Sequence, residues 1–219
     1  MQKFNDESHW DVFHAFLVKN AEYAGTEEFP IIRTSNLLPE RIIPFSKALS
    51  SSDTNAWVAF YESDYRYECV WKSARQYLGL LKRFRGVISP DFSLYRDMPL
   101  CMQKWSTYKG RALAHWWQEN GIEIIPNVRF SDARSYDFCF DGIDRESTIA
   151  IGTFSCFKNK TETEFFRRGL EETVEHLRPK TILVCGKTPE EIFGKYIESG
   201  IDVRHFDGTP FAHFPEEDG

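Results

Sequence analysis

From residue 57 onward, short apolar runs alternate with longer segments in which apolar positions recur at three- and four-residue spacing. The runs are Trp57-Val58-Ala59-Phe60-Tyr61, Val87-Ile88, Ile122-Glu123-Ile124-Ile125-Pro126-Asn127-Val128, Thr148-Ile149-Ala150-Ile151-Gly152, Thr181-Ile182-Leu183-Val184-Cys185 and Ile201-Asp202-Val203-Arg204-His205. Such short apolar runs predict strands, and the Thr181 run is apolar enough to be covered on both faces. Between them, Tyr67, Val70, Trp71, Ala74, Tyr77, Leu78, Leu81 and Phe84 make one helical stripe. Met98, Cys101, Met102, Trp105, Tyr108, Ala112, Leu113 and Trp116 make a second, and Phe166, Leu170, Val174 and Leu177 a third. Punctuation agrees with these limits. Asp64 reads as an N-cap and Gly86 as the end of the first helix, and Asn120-Gly121 ends the second. Thr161 with Glu164 reads as a capping box, Pro179 as a stop, and Thr188-Pro189 with Glu191 as the start of a helix ending at Gly200. A short helix is predicted near 135–140.

Upstream the pattern is less regular. Trp10, Phe13, Phe16, Leu17 and Ala21 predict a helix over about 9–24, ended by Gly25. Phe29-Pro30-Ile31-Ile32 and Ile42-Ile43-Pro44-Phe45 carry prolines, which suits edge strands, and Ser50-Ser51-Ser52-Asp53 reads as a loop. Strand–helix units thus run from about 29 to 207, and the acidic tail 215–219 is expected to fray. The whole, 1–219, reads as a single α/β domain. Alternation at this spacing calls for right-handed crossovers and a mainly parallel sheet. A compact TIM-like barrel, complete or incomplete, is preferred, because every strand is followed by polar residues in the same relative place. An open doubly wound sheet predicts the same local pattern, and 219 residues are few for eight full units.

Composition narrows the class. At 42% hydrophobic and 16% aromatic residues the chain has ample surface for a packed core. No run approaches the roughly 18 apolar residues of a membrane helix, and the N-terminal residues lack a secretory pattern, so a cytoplasmic protein with no membrane partner is expected. Five cysteines without a C-x-x-C pair suggest reduced, mostly buried thiols rather than a disulfide framework or a zinc knuckle. A formal charge of −6 argues against indiscriminate coating of nucleic acid. Arg66, Lys72, Arg75, Lys82, Arg83 and Arg85 nevertheless gather between 65 and 85 against Glu68 alone, which keeps a nucleic-acid-binding helix among the readings.

Ligands of parallel α/β folds bind outside the carboxyl ends of the strands, where helix N-termini present N–H groups. Applied strand by strand, that rule gathers Glu62, Asp64 and Arg66, then Asp91, Ser93 and Arg96, then Asn127, Arg129 and Asp132, then Thr153, Ser155, Cys156 and Lys158, then Gly186, Lys187 and Thr188, and last His205 and Asp207. Of these, Asp64, Asp91, Ser93, Arg96, Asn127, Arg129, Thr153 and Lys187 are the candidate site residues. Acids, an amide, hydroxyls and cations of this kind suit a phosphorylated ligand, or magnesium held by Asp64 and Asp91. Sharper motifs fail. Gly186-Lys187-Thr188 resembles the end of a phosphate-binding P-loop, but Thr181 stands where its first glycine belongs. No H-E-x-x-H, G-x-S-x-G or G-x-G-x-x-G occurs. Cys156, beside Lys158 and a helix start, is a candidate nucleophile only if its pKa is lowered. On the second helix, Trp117 and Lys109 fall beside the apolar stripe, where they would line a base-stacking groove.

Several segments are distinctive together: Ile43-Pro44-Phe45-Ser46-Lys47-Ala48, Asp64-Tyr65-Arg66-Tyr67-Glu68, the run from Gly86 through Ser89-Pro90-Asp91-Phe92-Ser93-Leu94-Tyr95-Arg96 to Pro99, Tyr108-Lys109-Gly110-Arg111, Ile125-Pro126-Asn127-Val128-Arg129 and Phe138-Cys139-Phe140-Asp141-Gly142. In these the chain resembles the bacterial and phage family of domain of unknown function 4417, over roughly 29–206. The resemblance implies a phage or mobile-element protein, and puts Asp91, Ser93, Arg96, Asn127 and Arg129 in family motifs. This chain departs from the family pattern at Ser106-Thr107-Tyr108-Lys109 and at Phe130. The expected function is binding of a phosphorylated ligand, with magnesium-dependent phosphoester hydrolysis at Asp64 and Asp91 as its catalytic form. The alternatives are a non-catalytic binder that sequesters a nucleotide signal or blocks a host protein, and a nucleic-acid-binding replication accessory.

Overall fold

A computed structural model describes Asp11 and residues 13–211 of the chain. It is a mixed α/β structure whose larger sheets are parallel. Strands β3 (Ile42–Pro44), β4 (Trp57–Ala59), β5 (Gly86–Ile88) and β6 (Ile124–Ile125) form one sheet in chain order. Strands β7 (Thr148–Gly152), β8 (Thr181–Cys185) and β9 (Asp202–Phe206) form another, also in order. Between these strands lie α1 (Phe45–Ala48), α2 (Cys69–Lys72), α3 (Ala74–Leu81), α4 (Leu100–Glu119), α5 (Lys160–Leu177) and α6 (Glu190–Glu198). A parallel bridge between Asn127 and Ala150 joins the two sheets. Ladder bonds run on either side of it, from Val128 N–H to the Ala150 carbonyl and from Ala150 N–H to that of Pro126, each 2.8 Å.

Alternate residues of the strands serve two faces. Val58, Phe60, Val87 and Ile124 face a core shared with α2, α3 and α4. Ile149, Ile151, Ile182 and Val184 face one shared with α5 and α6. The opposite face carries a third cluster, drawn from both sheets: Ile42, Trp57, Ala59, Ile88, Ile125, Ala150 and Leu183, with Phe211 among them. Glycine is required where rings cross this face. A Cβ on Gly86 would lie 2.5 Å from the Trp57 ring, and one on Gly152 2.6 Å from that of Tyr61. Among the described residues no ladder joins β9 to β3, so the closed form of the expected TIM-like barrel is not found.

Three local expectations are corrected. Of the helix over 9–24, the described residues form a single 3-10 turn, Ala15–Val18, whose Ala15 and Phe16 N–H groups are held by the Asp11 carboxylate at 2.8 and 3.1 Å. The chain then doubles back through Gly25 (φ 73°) and Glu28 (φ 57°), so that β1 (Tyr23–Ala24) pairs antiparallel with β2 (Phe29–Pro30). The long helix of 64–84 is a 3-10 turn, Asp64–Arg66, followed by α2 and α3, with the break at Ser73 (φ −137°, ψ 48°). Asp64 does not cap this segment, and Gly86 opens β5 rather than closing a helix. Finally, the cap of α5 is Asn159, whose side chain accepts from the Glu162 N–H at 3.0 Å, and Thr161 lies inside the helix. The expected acidic tail, 215–219, lies outside the described residues.

Candidate functional site

The parallel ladders carry the exit turns of β4, β5 and β6 to one rim, and there Asp64, Asp91, Ser93, Asn127 and Arg129 meet. Asp91 accepts from Asn127 Nδ2 at 2.7 Å and from Arg129 Nη1 at 3.2 Å. Asn127 is in turn oriented by the Tyr61 hydroxyl, which donates to its Oδ1 at 3.0 Å, while its backbone N–H donates to Ser89 Oγ at 2.8 Å. Asp64 accepts from the Ser93 N–H at 3.1 Å and the Ser93 hydroxyl at 2.9 Å. The Tyr67 hydroxyl lies 3.0 Å from Asp64 Oδ1 and 2.7 Å from the Asp91 carbonyl, so one phenol ties the two turns together. Beneath them the buried Arg111 of α4 donates to the carbonyls of Asp141, Cys139 and Asn127 at 3.1, 2.9 and 3.5 Å.

Electrostatics follow from burial. The Asp91 side chain is 10% exposed, and burial pushes its pKa up to about 6, against the downward pulls of Arg129 and Asn127. The Asp91 carboxylate beside it holds the Arg129 guanidinium above its usual value. Arg129 Nε is shut off from solvent and has no hydrogen-bond partner among the described residues, although the side chain as a whole is 32% exposed. Burial also pushes Tyr61 and Tyr67 well above the ordinary phenol range.

Arg129 opens into a cleft of about 560 Å³ over the ends of β5, β6 and β7. Arg96, Glu162, Cys156 and the rings of Phe130 and Phe165 line the same cleft, whereas Asp64 and Asp91 lie behind its wall. Arg96 is already engaged: both its terminal nitrogens bond Glu162, at 2.8 and 2.5 Å, and its guanidinium lies 4.2 Å from the Phe165 ring centre. Cys156 does not have the lowered pKa a nucleophile needs, since burial pushes its thiol up to about 11. Thr153 and Lys187 belong to a second cleft, of about 640 Å³, over the ends of β7, β8 and β9. There the Thr153 hydroxyl donates to the Lys187 carbonyl at 2.8 Å and so shapes the β8 turn.

Every oxygen of Asp64 and Asp91 already accepts a bond from a protein donor, and Arg129 brings a positive charge against Asp91. Among the described residues no group of three or more His, Cys, Asp and Glu side chains is placed to hold a metal. The basic segment 65–85 is dispersed by the break in its helix. Lys72 pairs with Glu68 at 2.8 Å, Arg75 lies 3.7 Å from the Phe16 ring centre, and Arg83 donates to the Ser51 carbonyl. Trp117 lines no groove, being fully buried and stacked on Phe60, and Lys109 packs over the Phe92 ring at 3.9 Å. No disulfide forms, but of the five thiols Cys139 and Cys185 alone are fully buried. Among the described residues no helix is long and apolar enough to cross a membrane.

The model of the family described as domain of unknown function DUF4417 matches residues 21–207. The chain belongs to the DUF4417 family. Among its relatives is the Gene 1 protein of Mycobacterium phage L5, 32% identical over 170 residues, which cover 76% of this chain and 74% of the phage protein. The Gene 1 protein of Mycobacterium phage D29 is also 32% identical, over 164 residues covering 73% of this chain and 60% of the phage protein. The match thus spans less than two thirds of the D29 protein. No solved structure matches the chain. The DUF4417 region contains every residue of the Asp64–Asp91–Asn127–Arg129 network and both clefts apart from the final turn at Gly208 and Thr209. Sequence reasoning missed three members of this site. Tyr61 and Tyr67 read only as apolar positions, although a phenol placed in a core needs a hydrogen-bond partner, which was a usable signal. Glu162 gave no signal, because its pairing with Arg96 spans 66 positions.

Proposed function

We propose that this DUF4417 chain binds a phosphorylated small molecule across the carboxyl-terminal rim of its parallel strands, and binds it without hydrolysing it. The observation that carries this reading is Arg129: a guanidinium fixed from behind by Asp91, opening into a cleft that Asp91 itself does not line. An arginine held in this way presents donors to acceptor atoms of a ligand with little loss of rotamer freedom. Binding is favoured over phosphoester hydrolysis because neither Asp64 nor Asp91 retains an oxygen unengaged by protein donors, and neither reaches the cleft. The reading is strengthened if the strands curl as an incomplete barrel, which gathers the exit turns closely. Supporting that curl, the third apolar cluster takes members from both sheets and includes Phe211, whose short turn touches β3. The phage origin of the relatives supports a setting in the cytoplasm of an infected host.

The test is a thermal-unfolding screen of the chain with nucleoside 5′-monophosphates, repeated on Arg129→Gln. A ligand that binds only the folded state raises the melting temperature. The expected result is a rise with at least one monophosphate that shrinks in Arg129→Gln, with the nucleotide recovered intact. A rise that Arg129→Gln leaves unaltered overturns the role of this residue, and recovery of free phosphate overturns the non-hydrolytic reading.

A further inference from the structure

We infer that the second cleft is a phosphate subsite, and that the two clefts together accept a nucleoside monophosphate, its ring in the first and its phosphate in the second; this rests on the reading above. The second cleft lies over the last three strands and carries Lys158 and Lys187, with His205 and Asp207 at its edge. Both lysines are exposed, and neither forms an ion pair among the described residues, in contrast to Arg96 and Arg129. Among the described residues the one carboxylate lining it is Asp207, whose Oδ1 is turned to its own turn, accepting from the Thr209 N–H at 2.9 Å and hydroxyl at 2.6 Å. A dianion entering this cleft therefore meets two cations that share no ion pair among the described residues, whereas both arginines of the first cleft are already neutralised by a carboxylate.

Glycines bring the turns that floor this cleft close together. Gly186 has φ 111°, and a Cβ there would lie 2.6 Å from Thr153 Oγ1. A Cβ on Gly208 would lie 3.0 Å from both Gly186 Cα and the Phe154 ring. The exit turns of β7, β8 and β9 thus meet closely through these two glycines, with the Thr153 hydroxyl and the Phe154 ring against them. Glycine turns after parallel strands let main-chain groups approach a phosphate closely. The first cleft has the opposite character. Phe130, Phe154, Phe165 and Phe166 surround the Arg129, Arg96 and Glu162 side chains, which suits a flat ring with hydrogen-bonding edges. Phe154 and Ser155 line both clefts, so one ligand can lie across this shared wall.

The experiment titrates the chain with inorganic phosphate, followed by phosphorus NMR line width, in parallel with a nucleoside monophosphate that bound in the unfolding screen. In Lys158→Gln with Lys187→Gln, affinity for inorganic phosphate is expected to fall about tenfold or more, while Arg129→Gln leaves it within about twofold. Both lysines are exposed, so the double variant should melt as the parent does without ligand. The monophosphate should lose affinity in both variants, and the corresponding nucleoside in Arg129→Gln alone. Phosphate lost in Arg129→Gln and kept in the lysine variant would put the anion in the first cleft and overturn the subsite, leaving the binding function intact. A monophosphate that binds through Arg129 while phosphate ignores the lysines does the same. Failure of every monophosphate to bind removes both.

Discussion

Ionised Asp91 has two partners that favour its charge, Asn127 and Arg129, and a surrounding that opposes it; burial prevails and raises its pKa from 3.8 to about 6. The folded state therefore holds the Asp91 proton more tightly than the unfolded chain does. The stability gained from that protonation is complete below about pH 4 and is lost as pH rises through about 6. A shift of this size is worth about 3 kcal/mol. In Asp91→Asn the group cannot titrate. Urea unfolding at about pH 4 and about pH 7 should show the stability of the parent relative to Asp91→Asn falling by about that amount over the interval, and an unchanging difference would mean that Asp91 is ordinarily solvated. A second residue is constrained by space rather than charge. Gly152 lies under the Tyr61 ring, whose hydroxyl orients Asn127. Gly152→Ala should cost about 1–3 kcal/mol in chemical denaturation, and should weaken ligand binding along with it, because the ring that shifts is the one that sets the Asn127 amide.

At the level of elements, α5 brings Glu162 to Arg96 and Phe165 to the first cleft, so its N-terminus is part of the site. Asn159 accepts from the Glu162 N–H, and Asn159→Ala should cost about 1 kcal/mol. Thr161→Ala should cost less than about 0.5 kcal/mol, because the Thr161 side chain caps nothing; equal losses in the two variants would restore the capping box expected from Thr161 and Glu164. As a pattern Thr161 with Glu164 satisfies the capping box, and only geometry puts the cap two residues earlier, at Asn159. Strands were the more legible elements, since β7 and β8 are buried on both faces and leave uninterrupted apolar runs. The segment 64–84 was less so, because its apolar stripe persists through the break at Ser73: α2 and α3 pack on the same core, so periodicity survives where the helix does not. The rim was legible for a related reason. Parallel strands fix which ends meet, and Asp64, Asp91, Ser93, Asn127 and Arg129 are indeed brought together. Which of them face the cleft depends on the tyrosines and on Glu162, contacts between positions too distant in the chain for any local pattern to record.

At the level of the whole molecule, the two sheets are joined through a short seam, the Asn127–Ala150 bridge with its flanking bonds, and through the apolar cluster to which both contribute. Arg111 reinforces the seam from α4 by holding the carbonyls of Asn127 on one side and of Cys139 and Asp141 on the other. Side chains that share one core lose their burial together, so the two sheets should unfold in one step. The distribution of aromatic residues allows this to be read directly. Five of the six tryptophans, Trp57, Trp71, Trp105, Trp116 and Trp117, belong to β4, α2 and α4 and Trp10 lies outside the described residues, so in Trp10→Phe tryptophan emission reports the β3–β6 part, whereas far-ultraviolet circular dichroism also sees α5 and α6. The two signals should trace a single urea transition in Trp10→Phe as the parent chain. In Arg111→Met, three carbonyls lose a buried donor at once, which should cost about 3–5 kcal/mol, and the transitions should still coincide if the shared apolar cluster is what couples the sheets. Curves that separate in Arg111→Met but not in the parent would show that the coupling runs through the guanidinium, and curves that separate in both would show two units that fold independently.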